Sequence, residues 1–493
     1  MQAKNFLLFL VLLLGANALN ATIYYVTPSG KGSLSGLSWA NARAGMQLQN
    51  TINAAVTGDE IWVAAGVYKP TQTSTNNSAP TDQREKCFVM KNGVKILGGF
   101  LATGTPTLLE RKPFKNKTIL SGELQNDGNL TNNAYNVIKN YRNGLTNTAI
   151  LDGFWIMNGA GGTTGNGSGM LIDLGSPAIF NCVFSENSSN NGGAISIANT
   201  SIPKFTTCII MNNTATSKGG AVAINNSTPT FANSLLFNNK ATVGGAALFC
   251  STNTTVTFYV CDIHGNFTNG EGTFIYTEGT NNRFNLVNSI VWSNTGPTIT
   301  TSFVYDDMMA STRSVQNCIY PLITASSFHN IDQNPLYTAE WDPDGTDDVF
   351  GTDDDGLALS EDSPAVGLGN ANLIPIGITT DITGSPRISG TKIDAGAYEY
   401  QMRVATDDVK TATKTAEIFP NPAHDFIYIR SAENLQNAHF SLFNSVGQQV
   451  VSQIFTAFAN DVYTLNLTDL PQGVYFYQII ADDRKYGGKV GVK

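Results

Sequence analysis

The sequence predicts an all-β chain: a right-handed parallel β-helix (solenoid) followed by a small C-terminal β-sandwich. Three observations carry that expectation. Gly-Gly-Ala with an apolar pair is written three times, in "NNGGAISIAN" (190–199), "SKGGAVAINN" (217–226) and "TVGGAALFCS" (242–251). A second motif, Gly, Cys or Ser followed five residues later by Asn, recurs at steps of 26 to 29 residues. The runs between them ("AISI", "AVAI", "TFYV") are short and rich in β-branched and aromatic residues, with none of the 3.6-residue periodicity of a helix. A fixed period of this length marks a solenoid, whose units bury their apolar faces only by stacking. Short parallel strands then coil right-handedly, as parallel crossovers do.

In chain order, residues 1–21 read as a secretory signal peptide: Lys4, an apolar run from Phe6 to Leu14, and small residues at Ala16, Ala18 and Ala21. Residues 22–84 read as an N-terminal cap and first coil, with a short amphipathic helix around Met46–Val56 that plugs the first coil and a strand from Ile61. Residues 85–330 hold the repeats. Cys182, Cys208, Ser234, Cys261 and Ser289 form a column of small inward residues, continued by Cys318 and, in a looser sixth unit, by Gly153. Asn187, Asn213, Asn239, Asn266 and Asn294, with Asn158 in the looser unit, form a second column, expected to be a ladder of side-chain amides satisfying buried turns. Asn187 and Asn266 also stand in Asn-x-Ser/Thr sequons, which a ladder position explains better than a glycan. Residues 331–400 leave the repeat and read as an acidic C-terminal cap, because an open coil end needs cover. Residues 401–415 are a polar linker, and 416–493 alternate like the strands of a β-sandwich, with Ile427, Ile429, Leu442, Leu465, Leu467, Val474 and Phe476 as its core.

The formal charge is −9 and no Lys/Arg cluster forms a stripe, so no nucleic-acid partner is expected. No stretch after the leader is apolar for long enough to cross a bilayer, so no transmembrane segment is expected in the mature chain. The six cysteines follow no compact disulfide framework, and the repeat accounts for them better.

The segments "GLSWANA", "GDEIWVAAGVYKP", "GVKILGGF", "TILSGEL" and "LDGFWIMNG" resemble the N-terminal half of secreted, pectin-lyase-like right-handed β-helix proteins of Bacteroidetes-type bacteria. The Gly-Gly-Ala and Asn repeats resemble those of polymorphic outer-membrane and adhesin-like β-helices, and "TDITGSPRISGTKIDAGAYE" resembles the end segment of many such surface proteins. "FPNPAHDFIYIR", "LFNSVGQQV", "LTDLPQGVYFYQI" and "GGKVGVK" resemble the sorting domain of type IX secretion cargo. That last resemblance implies the type IX machinery as a partner, and a secreted protein attached to the outer-membrane surface.

Two functions follow from these likenesses: an adhesin-like or polysaccharide-binding passenger, or a polysaccharide lyase or glycoside hydrolase of the pectin-lyase-like fold. A third class, a structural surface-layer component, binds nothing specific. A lyase needs a base and a hydrolase needs paired carboxylates, but the acids between 160 and 330 do not recur in phase. Asp306 and Asp307 are the one acidic pair there and the candidates for catalysis. The loop 342–356 packs Asp342, Asp344, Asp347, Asp348, Asp353, Asp354 and Asp355 among glycines, a donor set suited to a structural Ca²⁺, although Asp347 stands where an EF-hand needs glycine. Trp155, Trp292, Tyr276 and Tyr305 are candidates for a sugar-stacking platform. Binding without catalysis is the reading carried forward.

Overall fold

The computed structural model describes residues 21–296 except 271, then 311–321, 327–388, 392–401, 416–431, 435–444, 448–458, 462–481 and 484–493. The signal-peptide segment and the catalytic candidates Asp306 and Asp307 lie outside the described residues. The chain divides into two compact units at 401/402.

The first unit is a parallel β-helix whose coils contribute strands to stacked sheets of 11, 8, 6 and 4 strands. In the longest sheet one inward position runs Ile61, Ile96, Leu151, Ile179, Phe205, Phe231, Phe258, Leu286, Val315, each paired with the next. All are buried in one core, and within it Phe205, Phe231 and Phe258 stack with ring centroids 4.8 and 5.0 Å apart. The expected plug is the helix Leu48–Ala54, which sets Leu48 and Ile52 into the first coil while Met46 stays outside.

The Asn column is a hydrogen-bonded ladder. Asn187, Asn213, Asn239 and Asn266 each donate both their backbone N–H and their side-chain Nδ2 to the Oδ1 of the next asparagine, ending on Asn294, at 2.8–3.1 Å. The same Nδ2 groups donate to carbonyls of their own coil and the preceding one, so an amide in this position is fully used. The Cys/Ser column lies beside it: Cys208 N–H donates to Ser234 Oγ and Cys261 N–H to Ser289 Oγ, both at 3.0 Å. All six cysteines are free and buried, and burial pushes the Cys208, Cys250, Cys261 and Cys318 thiols up to about 12, which keeps them protonated and unreactive.

Two alignments shift by one residue. Trp155 pairs with Val183, so Phe154 stands at the Cys182 position and Gly159 at the Asn187 position, where its N–H donates to Asn187 Oδ1 at 2.9 Å. Gly153 and Asn158 belong instead to the corner residues, which take positive φ in coil after coil, as Asn181, Thr207 and Asn233 do. The glycine pair 244–245 is likewise offset: Gly245, not Gly244, is equivalent to Gly192 and Gly219. These three and Gly272 have φ of +62° to +68°, and a Cβ on any of them would come within 2.1–2.5 Å of the carbonyl oxygen three residues on. The following position is looser, being Gly193, Gly220, Ala246 and Thr273 in turn. Gly245→Ala is therefore expected to cost about 1–3 kcal/mol, while Ala246→Gly costs about 1 kcal/mol or less. Urea unfolding followed by tryptophan fluorescence checks both, because all five tryptophans fall in this unit.

The segment 331–400 extends the last coil only at its start, where Ile331 N–H donates to the Cys318 carbonyl and Tyr320 N–H to the Ile331 carbonyl. It then turns back and runs along the side of the solenoid as a strap. It covers the outer face of the eight-stranded sheet, and one apolar cluster joins Trp155, Val183, Ile209, Leu235 and Phe237 to Phe350, Leu357, Ile382 and Tyr398 of the strap. Among the described residues, lateral cover is what this segment provides.

The second unit closes two antiparallel sheets on one core that includes Ile427, Ile429, Phe440, Leu442, Leu465, Leu467, Tyr475 and Ile479. Strand alternation turns Tyr475 and Ile479 inward. Val474 and Phe476, expected in the core, are 52% and 50% exposed on the other face.

Candidate ligand-binding cleft

Among the described residues the strap creates two environments of interest, besides a smaller cleft of about 470 Å³ lined in part by Lys112, Lys115, Asp347 and Asp381. The first is a buried polar lock. Asp262 occupies an outward position between Leu235 and Ile290 that is otherwise apolar. Its carboxylate accepts from Tyr337 Oη at 2.6 Å and from Ala397 N–H. Arg387, 1% exposed, donates to Asn233 Oδ1 and to the Gly396 and Ala397 carbonyls, with Glu399 at 3.5 Å. Tyr398 Oη donates to Asp355 at 2.7 Å. Five carboxyl groups (Asp262, Asp355, Asp381, Asp394, Glu399) are thus buried with one guanidinium. Desolvation raises Asp262 and Asp355 to about 6, and desolvation followed by the charge of Asp394 raises Glu399 to about 8. His264, buried near Glu340, is pushed down to about 4 by the same loss of water. These groups have perturbed proton affinities, but they are sealed under the strap and hold it in place.

The second environment is open. On the outer face of the longest sheet, strap residues 372–378 stand off the strands and leave a cleft of about 880 Å³. Its floor is two columns of outward side chains. One reads Lys204, Thr230, Thr257, Asn285, Ser314, and the other Phe180, Thr206, Ala232, Tyr259, Val287, Gln316, each residue paired with the next along the sheet. Asn285 Nδ2 donates to Thr257 Oγ1 at 3.1 Å, which orders the amide, and Leu373, Ile374, Pro375 and Ile376 supply an aliphatic wall. The wall is anchored where Asn288 and Asn370 bond reciprocally, side-chain amide to backbone, at 2.9 and 3.0 Å. Lys204 is the one charged residue in the described lining, which contains no Asp, Glu or His.

Of the aspartates of 342–355, Asp347, Asp354 and Asp355 meet around Thr352, whose Oγ1 lies 3.5, 2.7 and 3.3 Å from their carboxylate oxygens. Asp354 accepts from Thr346 N–H, Thr346 Oγ1 and Thr352 Oγ1, bonds that hold its carboxyl at about 2. Asp355 is turned inward to Gly351 N–H and Tyr398, and Asp347 caps Val349 N–H. Asp348 and Asp353 are exposed, and Asp342 and Asp344 are half-buried. Calcium takes about six to eight oxygens, whereas among the described residues no three His, Cys, Asp or Glu side chains converge on a metal position.

Of the proposed stacking residues, Trp155 is buried beneath the strap, with Lys117 Nζ 4.3 Å from its ring centroid, and Trp292 packs against strap residues. Tyr276 lies on a different sheet under Lys218, which pairs with Glu278, and Tyr305 is outside the described residues. Phe180 and Tyr259 are the outward-facing aromatics in the lining, which Phe205 joins only from its fully buried place in the core. Their signal in the sequence is alternation alone: each follows a core residue, Ile179 or Phe258, and so faces outward.

Residues 417–493 match the secretion system C-terminal sorting domain, and residues 181–198 match the Chlamydia polymorphic membrane protein repeat. No curated protein sequence matches the chain. Among solved structures the chain is similar to pectate lyase Pel9A, at 14% identity and a TM-score of 0.37, over 78% of this chain and 97% of the lyase. A likeness of that extent carries neither activity nor substrate across. The sorting domain marks the chain as secreted and attached at the cell surface, with the secretion machinery as a partner. No helix among the described residues is long and apolar enough to cross a membrane.

Proposed function

We propose that this secreted, surface-held β-helix is a binding protein that retains polysaccharide in the cleft between its longest sheet and strap residues 372–378, without cleaving it. The observation that carries this reading is the chemistry of the lining: hydroxyls, amides, two aromatic rings and an aliphatic wall, with Lys204 the single ionisable charge. Such a surface hydrogen-bonds and stacks on sugars. Among the described residues the lining holds no pair of carboxylates such as a glycosidase uses, and a lone exposed lysine with no acid beside it there is a poor substitute for a lyase site. The buried carboxyl groups under the strap have raised proton affinity, but desolvation accounts for it and no substrate reaches them.

The test incubates the whole secreted chain with insoluble plant, algal and host polysaccharides, scoring retained protein together with new reducing ends and unsaturated uronates. Retention with no new ends is the expected result. New ends produced at catalytic rate would overturn the binding reading in favour of an enzyme. Absence of retention on every polymer would move the role to a structural or protein-binding one.

A further inference from the structure

The cleft has a spacing as well as a composition. Its floor is ruled by the solenoid, so equivalent side chains repeat once per coil, at about 4.8 Å. Phe180 and Tyr259 belong to one outward column and are three coils apart, with Thr206 and Ala232 between them. That separation is about 14 Å on the same spacing. Over the same four coils the neighbouring column reads Ala178, Lys204, Thr230 and Thr257, with Asn285 one coil further on. The rise of one coil is close to the rise per residue of an extended pyranose chain.

Resting on the binding reading above, we propose that the ligand is a linear, uncharged polysaccharide lying along the solenoid axis in register with the coils, one sugar per coil. In that register the first and fourth sugars meet Phe180 and Tyr259, and the two between them pass Thr206, half-buried, and Ala232, whose small side chain is buried among its neighbours. The polar column then serves the ring hydroxyls of successive sugars along one edge, while Ile374 and Ile376 of the strap cover the other edge. Lys204 stands beside Thr206 in the second coil of this register and is the one charge in the described lining, so a chain with a carboxylate or sulfate on every sugar would find a partner for one charge and leave the others unpaired.

Calorimetric titration of the whole chain with cello-, xylo- and manno-oligosaccharides of two to six residues, and with oligogalacturonates as the charged counterpart, tests the register. The expected result is a rise in affinity of tenfold or more between trimer and tetramer in at least one neutral series, with oligogalacturonates weaker. Tyr259→Ala should abolish that step while leaving trimer affinity within about twofold. Its melting temperature should fall only slightly, since the ring is half-buried on the outer face and not part of the core. Phe180→Ala gives a second, independent removal of the step from the other end. Neutral binding that grows smoothly with length, or that survives both substitutions, would overturn the register and leave the binding reading standing. Preference for oligogalacturonates would overturn the uncharged ligand. No binding by any oligosaccharide, together with no retention on any polymer, would overturn both.

Discussion

Asn239→Ala is expected to lower the stability of the β-helix by about 3–5 kcal/mol, the sum expected when several buried polar groups lose their partners at once. The Asn239 side chain accepts from Asn213 N–H and Nδ2 and donates to the Ile210 and Phe237 carbonyls and to Asn266 Oδ1. Alanine leaves all of these in a site of zero exposure that no water reaches. The neighbouring Asn238 is exposed, with φ of +52°, and its side chain is not part of the ladder. Asn238→Gly is therefore expected to fall within about 0.5 kcal/mol of the parent, glycine accepting the same backbone conformation. Two adjacent asparagines thus give opposite results in the same urea titration. Equal effects would mean that the ladder amide contributes no more than a corner residue. Asn239→Asp adds a stricter control, keeping shape but replacing a donor with charge, and should be at least as damaging.

Why the ladder can be read in a sequence and the cleft cannot is a matter of recurrence. Each asparagine satisfies the coil on either side, so the requirement repeats and leaves a period. The left-handed glycine column repeats for the same reason, and the one-residue slips at Gly153 and at the 244–245 pair arise where an unlike residue fills a slot: Phe154 for cysteine, Gly159 for asparagine, Ala246 for the second glycine. The strap makes each of its contacts once. Its trace in the sequence is indirect: "VFS", "IIM", "LLF" and "IVW" are bulky on nearly every position, as strands buried on both faces are. The outer neighbours of that face are the acidic segment itself, which explains why so many carboxylates sit near the solenoid. Phe180 and Tyr259 look like ordinary half-exposed strand residues until 372–378 folds back over their sheet. No local pattern announces a wall supplied from more than a hundred residues away in sequence.

Arg387→Met should release the strap. The guanidinium is the single buried cation among Asp262, Asp381, Asp394, Asp355 and Glu399, and it also ties Asn233 of the solenoid to the strap backbone. Methionine fills similar volume but leaves those acceptors unpaired, and breaking a buried pair from one side costs about 3–5 kcal/mol. The expected readout is rapid proteolytic cutting within 331–400 at a protease level that leaves the parent intact, with loss of polysaccharide retention because the cleft wall is part of the strap. The same lock gives a pH dependence of determined sign. Glu399 titrates in the folded chain at about 8, well above its ordinary value, and Asp262 and Asp355 at about 6. Between the unfolded and folded values the folded chain holds more protons than the unfolded one, so stability falls as pH rises through that interval. Strap protection should therefore weaken from pH 5 to pH 9. Glu399→Gln, which keeps an acceptor for Asp394 N–H but removes the charge facing Asp394 and Arg387, should flatten the upper part of the profile. His264 acts in the opposite sense, since its folded value near 4 makes protonation below about pH 6.5 favour the unfolded chain. A profile rising steadily from pH 5 to pH 9 would contradict the proton-bearing lock, and cutting of Arg387→Met at the parental rate would show that the apolar cluster alone fastens the strap.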